Sequence, residues 1–492
     1  MNSRNYFIGL GGAVLLDPAG DIIHKNYYWG GDSVLGLRAV ARYTDNEFYF
    51  ATGYQNDSCT ANGSNTVPYI HPLIGKMDSL GNLSSVHYYV LNAPGCSAMA
   101  IGLEVCGDGS VVSWGGGGPF FFLKTDPTGN PLWAKRILRS GNVDFVKELP
   151  GGDLLAGISM DTAGVVVARM NAAGEVLWCK SYIRPNGEVH DVVIEPDGSF
   201  IITGVTEVSA LHALGPLPST YHPKTFMLKL DGEGAVLWCR GYAIEPYLWY
   251  APQWSRIIRT PDNKYVVLAT IGVQSGGLNY NRFYRPFLMK TDLNGDTLWT
   301  RSGGLTDYKY EIQDLLLASD GGLLFSGLAH GDFPTALGAP YLFKADSTGH
   351  LPCSEQQPPP LSVTELFPVD SNFVIASIDG AVSVPFYLND TSIATIPTYG
   401  CMITSVMDPS RSRKPKVYPN PTPGRFTVEF QDPLVKDSYY SVYDAMGKLL
   451  FQRAATHGQK TEEVDLTGYS KGTYVIRFTD KEGTCYERVV VE

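Results

Sequence analysis

The stretch KTDLNGDTLWTR, Lys290 to Arg301, is one of seven versions of the same segment. Anchored on its acidic residue, the copies fall at Asp17, Asp78, Asp126, Asn171, Asp231, Asp292 and Asp346, 45 to 61 residues apart. Each places β-branched and aromatic residues on both sides of an Asp-x-x-Gly turn, which reads as a hairpin. A hairpin recurring at that period marks a repeat architecture.

Between these copies lies a second hairpin, clearest in VVIEPDGSFIITG from Val192 to Gly204. It returns as AVARYTDNEFYFATG, GLEVCGDGSVVSWG, FVKELPGGDLLAG, IIRTPDNKYVVLAT and DLLLASDGGLLFSG. Two alternating hairpins per period give four strands per unit. Units that cannot bury both faces alone, repeated around an axis, describe an all-β chain with a β-propeller over residues 1–405.

The chain opens with a hairpin of the first kind, and TELFPVDSNFVIAS, Thr364 to Ser377, resembles the second kind. Joining these orphans predicts seven blades, the last pairing an inner hairpin at 362–378 with an outer one at 6–28. Six blades, with 351–405 as a separate strand pair, is the alternative. In up-and-down blades both tight turns share one rim. The insertions Gln55 to Tyr69, Thr206 to His222, Tyr242 to Gln253, Gly272 to Arg285 and Leu328 to Ala339 then share the other, which makes that rim the better place for a site.

Composition agrees with many short strands: 53 Gly, 32 Pro, 29 Tyr, 21 Phe and 8 Trp in 492 residues. A formal charge of -11 opposes nucleic acid as a partner, and no apolar run has the length of a membrane-spanning helix. YFIGLGGAVLL, after Arg4, superposes on the repeat and reads as a strand pair, so an export signal is not seen there. Cys179 and Cys239 occupy one slot in two repeats and are expected free and buried. Cys59 with Cys96, and Cys353 with Cys401, are open to pairing in an oxidising compartment.

After Cys401 the texture changes. Residues 406–416 read as a linker, and 417–492 hold about seven alternating strands, suited to a small immunoglobulin-like β-sandwich. YPNP at Tyr418 to Pro421, the strand beginning at Gly424, VYDAMGK at Val442 to Lys448 and GTYVIRF at Gly472 to Phe478 carry a resemblance. This module resembles the type A C-terminal sorting domain of proteins exported by the type IX secretion system of Bacteroidetes. The ending ERVVVE departs from the more usual Lys-bearing tail. The resemblance implies the type IX machinery as partner through 417–492, and a secreted or outer-membrane surface-attached protein with the repeat region as cargo.

The acidic turns invite a calcium reading. The loops lack a distal bidentate Glu, and Asn171 and the Gly232 to Gly234 variant keep no fixed ligand set, so turn chemistry explains them better. No metal and no cofactor are expected. Trp133, Trp178, Trp238 and Trp299 recur in one register and read as packing between blades. Aromatics outside the repeat say more: Tyr247, Trp249, Tyr250 and Trp254 in one connection, and Tyr280, Arg282, Phe283 and Tyr284 in the next. Flat rings beside amide and guanidinium groups suit a glycan or protein ligand. No catalytic residue is assigned. His212, His222 and His330 share no metal-ligand spacing, and Glu245, Asp307 and Asp332 are the carboxylates that a glycan-active hydrolase or lyase would use. A binding or interaction module is the preferred reading, ahead of such an enzyme and of a structural surface protein.

Overall fold

The computed structural model describes residues 5–491 except 10–11, 17–21, 31–32, 35–37, 62–64, 92–98, 117, 161–162, 183–186, 207–223, 245–254, 275–281, 305–307, 319, 332–338, 352–354, 369, 375, 386–388, 393–415, 431–437, 445–448 and 481–482. Before Arg38, over 55–69 and over 383–392 it describes the backbone alone. Among these residues the regular elements are all strands, and the chain divides into two compact units, the larger of Tyr6–Leu15 and Ile22–Ile396, the smaller of Pro397–Glu492 with Met1–Asn5 and Leu16–Asp21.

In the larger unit, successive stretches of chain fold into antiparallel sheets. Sheet one holds Asn5–Gly9, Gly12–Leu16 and Ile22–Gly30; sheet two holds Ala39–Arg42, Glu47–Ala61, Asn65–Asp78 and Leu83–Leu91. Sheet three runs through Met99–Val105, Val111–Gly116 and Gly118–Thr125 into Pro131–Glu148. The second half of that long strand opens sheet four, with Leu154–Met160, Gly164–Met170 and Val176–Ser181. Sheet five comprises Glu188–Ile194, Phe200–Val205, Thr225–Leu230 and Val236–Ile244. Sheet six comprises Ser255–Thr260, Lys264–Gln274, Arg282–Thr291 and Thr297–Ser302, and sheet seven Tyr308–Leu317, Leu323–Gly331 and Ala339–Ala345. The six hairpins of the second kind form as expected.

Two of the expected insertions are strand where the structure describes them. Pairing continues from Glu47↔Asp78 out to Ala61↔Asn65, and from Tyr265↔Thr291 out to Gln274↔Arg282. Backbone groups that leave the sheet still need partners, and a two-stranded ribbon supplies them.

The acidic turn is built the same way in the six copies that the structure describes, the Asp17 copy lying outside the described residues. Asp292 Oδ1 accepts the Asn294 and Asp296 amides at 2.8 and 2.9 Å, the Gly295 amide returns to Asp292 O, and Gly295 takes a φ of 82°. Asp78, Asp126, Asn171, Asp231 and Asp346 repeat this pattern. The carboxylate is therefore committed to its own turn. Two residues upstream, a basic side chain pairs with an acid of the neighbouring turn in the same sheet: Lys76 with Glu47, Lys124 with Asp108, Arg169 with Asp153, Lys290 with Asp262 and Lys344 with Asp320.

These turns also join one sheet to the next. The Trp178 ring lies against Gly234, and Tyr182 donates to Gly234 O at 2.7 Å. One sheet on, Trp238 and Tyr242 treat Gly295 in the same way, again at 2.7 Å. Trp133 donates its indole N–H to Ala172 O at 2.9 Å, and Trp299 lies against Gly349. In sheet two His87 and Tyr89 replace this pair, with Tyr89 donating to Gly129 O. The recurrent Trp is thus a latch between sheets, and each latch points toward the next sheet in chain order.

The end of the larger unit corrects the expected closure. Residues 362–378 do not fold back on themselves. Leu361–Glu365 pairs with the edge of sheet five, Ser371–Asn372 with sheet four and Ser377–Asp379 with sheet three. Ala381–Pro385 continues onto sheet two and Asn389–Ser392 onto sheet one. The hairpin-like text misled because Leu366 and Phe373 pack against different apolar clusters, which separates them by a sheet. Cys106, Cys179 and Cys239 are free and buried, and burial pushes the Cys179 and Cys239 thiols up to about 12. Cys96, Cys353 and Cys401 lie outside the described residues, as does the Cys59 side chain.

The C-terminal unit has two sheets. One orders Lys416–Tyr418, Arg425–Glu429 and Thr461–Asp465; the other orders Leu449–Ala454, Tyr439–Asp444, Gly472–Asp480 and Gly483–Val491. Phe426, Val428, Val442, Val464, Ile476 and Val489 share one core. The opening motif is tied to the last strand, since Thr422 donates its amide to Val490 O and Asn420 Oδ1 accepts the Val490 amide at 2.9 Å.

Candidate functional site

Each sheet's tight turns sit at one end, so the long connections leave from the other. Near that second end the first strands of several sheets are irregular. Pairing skips a residue between Val143 and Phe145, between Val189 and Asp191, and between Ile312 and Asp314. Opposite these bulges stand Gly157, Gly204 and Gly327. At Gly204 an added Cβ would lie 2.0 Å from Glu188 O, and at Gly327 1.7 Å from Glu311 O. Glycine lets the bulged strand press in, and the bulge re-aims polar side chains. Sheet six has Thr270 in the glycine slot, and its first pair runs without a shift.

Charged side chains gather at and beside these bulges. Asp144 Oδ2 accepts the Ser159 hydroxyl at 2.6 Å and the Ser159 amide at 3.1 Å, replacing the ladder bond the bulge removes. Asp191 accepts the Val192 amide and, across the sheet boundary, the Ile257 amide, both at 2.9 Å. Asp314 accepts the Leu315 amide at 2.8 Å. Arg256 donates to Gln313 O at 2.7 Å, and to His190 O and Ser255 O. Lys147 reaches Glu104 of the preceding sheet at 2.9 Å. Lys147 lies within charge reach of Asp191 and Asp314, and Asp314 within reach of Arg256 and Asp191.

Burial pushes Asp144 up to about 8, with Glu188 adding to the rise and Ser159 and Arg256 opposing it. Asp314 is raised chiefly by burial. Asp144 is only partly buried and Asp314 is exposed at the surface, so water moderates both shifts, that of Asp314 most. Burial alone would lower Lys147, but Glu104 carries it above its ordinary value.

His190, Ser255 and Glu188 look like a nucleophile relay. His190 Nδ1 lies 3.1 Å from Ser255 Oγ, and its Nε2 lies 3.6 Å from Glu188. Ser255 is fully buried, however, and Nδ1 accepts the Ser255 amide at 3.1 Å. That nitrogen is engaged as a hydrogen-bond acceptor and the hydroxyl is out of a substrate's reach, so the arrangement ties sheet five to sheet six.

Of the expected ligand residues, Tyr247, Trp249, Tyr250, Trp254 and Tyr280 lie outside the described residues. Arg282 and Phe283 are placed by backbone in the sixth sheet, opposite Gln274 and Val273. Tyr284, opposite Gly272, is 2 % exposed and packed within the protein, so it offers no open ring. Glu245, Asp307, Asp332, His212 and His222 also lie outside, while His330 pairs by backbone with Lys309. The set of Asp144, Asp191, Arg256 and Asp314 near the bulged ends of these strands was not anticipated. Its signal is the polar break in an apolar strand, as in Val189-His190-Asp191-Val192.

A β-rich chain of repeated sheets followed by a separate two-sheet module is the class these observations define. Residues 416–492 match the family described as the secretion system C-terminal sorting domain. The chain therefore carries a type IX sorting tail, and secretion or cell-surface placement goes with it. That tail corrects the expectation that no export signal is seen in the chain, since it is itself one. No curated protein matches the sequence. Among solved structures, a protein of unknown function from Bacteroides caccae is 11% identical, covering 72% of this chain and 93% of that one, with a TM-score of 0.33. One of unknown function from Dyadobacter fermentans is 10% identical over 70% and 96%, with a TM-score of 0.32. A BSP domain of a biofilm associated protein is 9% identical over 94% and 98%, with a TM-score of 0.14. Likenesses this distant leave function to the chain's own geometry.

Proposed function

We propose that residues 1–405 form a seven-bladed β-propeller that works outside the cell as a binding module for a glycan or protein ligand. Residues 406–416 link it to an immunoglobulin-like sorting domain at 417–492. One-way latches between successive sheets support the ring. The observation that carries binding is that Asp191 and Arg256 join sheets five, six and seven near the end from which the long connections leave, with Lys147 of sheet four, set nearer the tight turn, within charge reach of Asp191 and Asp314. Rigid strands hold these charges, an arrangement suited to polar recognition, and Trp249, Tyr250 and Phe283 are the aromatic residues proposed to stack beside it.

The full chain, immobilised over glycan and peptide arrays, tests this. Saturable binding without product is expected, and Trp249→Ala or Lys147→Met should each weaken it roughly tenfold at unchanged melting temperature. Product release under the same conditions would make the protein an enzyme. If no ligand binds or raises the melting temperature, it is a structural surface protein.

A further inference from the structure

Residues 356–392 visit six sheets in the reverse of chain order. Gln356 bridges to Ser302 of sheet six. The chain then meets Arg240–Ile244 of sheet five, Lys180–Ser181 of four, Lys135–Ile137 of three, His87–Leu91 of two and Asn26–Trp29 of one. Four apolar side chains at three of these stops lean on four different clusters: Leu361 and Leu366 on sheet five, Phe373 on sheet four and Ala381 on sheet two. Asp370 reaches Lys180 at 3.1 Å, and Asp379 reaches Lys135 at 3.2 Å.

These holds are slight. From 361 to 382 every described side chain is exposed or only partly buried, and Phe367 is 84% and Val374 78% exposed. The strands underneath are tightly packed, with Cys179, Cys239 and Leu91 all buried. Two paired residues at 371–372 would not persist alone. On a continuous chain, each closed stop shortens the loop to the next and makes its closure easier.

We propose that residues 356–392 are a clasp, one cooperative unit that opens and closes on intact sheets without global unfolding. Its opening bares the outer strands of sheets one to five, and unpaired strand edges invite another extended chain. In chain order the clasp lies between the sheets and the sorting tail, so it is the first part of the larger unit that handling of the tail meets.

Hydrogen exchange on the full-length protein, read by mass spectrometry, tests this. Amides of 361–366, 371–374 and 377–382 should exchange at one common rate, roughly a hundredfold faster than those of Leu154–Met160. Phe373→Ala should speed all three segments roughly tenfold and leave Leu154–Met160 unchanged. Leu366→Ala should do the same if the Phe373 variant fails to fold, and Val374→Ala should change nothing. Exchange at the rate of Leu154–Met160 would overturn the proposal. So would acceleration confined to the segment carrying the substitution, because the stops would then be independent contacts.

Discussion

The two ends of a sheet obey different rules. At the turn end of sheets three to seven the Asp or Asn turn, its glycine with positive φ and a ring from the preceding sheet recur almost unchanged. At the bulge end the corresponding residues are Asp144 in sheet four, His190 and Asp191 in five, Ser255 and Arg256 in six, and Gln313 and Asp314 in seven. The turn end repeats because it solves one mechanical problem many times. Variety is tolerated at the bulge end because backbone geometry and glycine, not side-chain identity, make the fold there. Recognition is free to develop where repetition is not required.

Glycine sharpens this contrast most. Gly198, at a turn, has a φ of 82° and nothing within 4 Å of an added Cβ, while Gly204, at a bulge, would drive its Cβ to 2.0 Å from a backbone oxygen. Gly198→Ala should cost about 1 kcal/mol, from the left-handed conformation alone. Gly204→Ala should cost about 3 kcal/mol or more, because backbone must move. Urea midpoints of the two variants check this, and equal costs would mean that the bulge is soft.

The latch comes next. Trp238→Ala removes a partly buried ring that packs on the sheet-five and sheet-six cluster and covers Gly295. A loss of about 2 kcal/mol is expected. Tyr242→Phe, which deletes only the bond to Gly295 O, should cost about 1.5 kcal/mol, since a buried carbonyl loses its partner. If both variants melt like the parent protein, the sheets are held together by something other than the latch.

The turn end was legible because its physics is local: Asp292, Gly295 and Trp299 lie within one short segment. The clasp was not, since Glu365↔Arg240 and Asp379↔Lys135 join distant stretches. Nothing local distinguishes TELFPVDSNFVIAS from a true hairpin. The bulges were half legible. Ile312-Gln313-Asp314-Leu315 breaks the alternation of a half-buried strand, but only the partner glycine turns that break into a bulge. Tyr284 was read as a loop aromatic because the strand continues further than its composition suggests.

The smallest expected effect probes the bulge end by pH. Asp144 is pushed up to about 8 in the folded protein, against an ordinary carboxyl value near ~4 when unfolded. Between these values the folded state holds a proton that the unfolded state has released, so this group's contribution to stability falls as pH rises through the window. Asn keeps the shape, and its carbonyl still accepts from Ser159, but it cannot ionise. Asp144→Asn should therefore match the parent near pH 4 and exceed it by about 1 kcal/mol at pH 8, well under the full shift because water reaches the group. Asp126→Asn offers the contrast, since, against the opposing effect of burial, Asn130 and Thr128 hold that carboxyl down at about 2, and Asn171 does the same work in sheet four. Its stability difference from the parent should stay flat from about pH 6 to 8, where the carboxyl is ionised folded and unfolded alike. Parallel slopes for the two variants would remove the distinction between the ends.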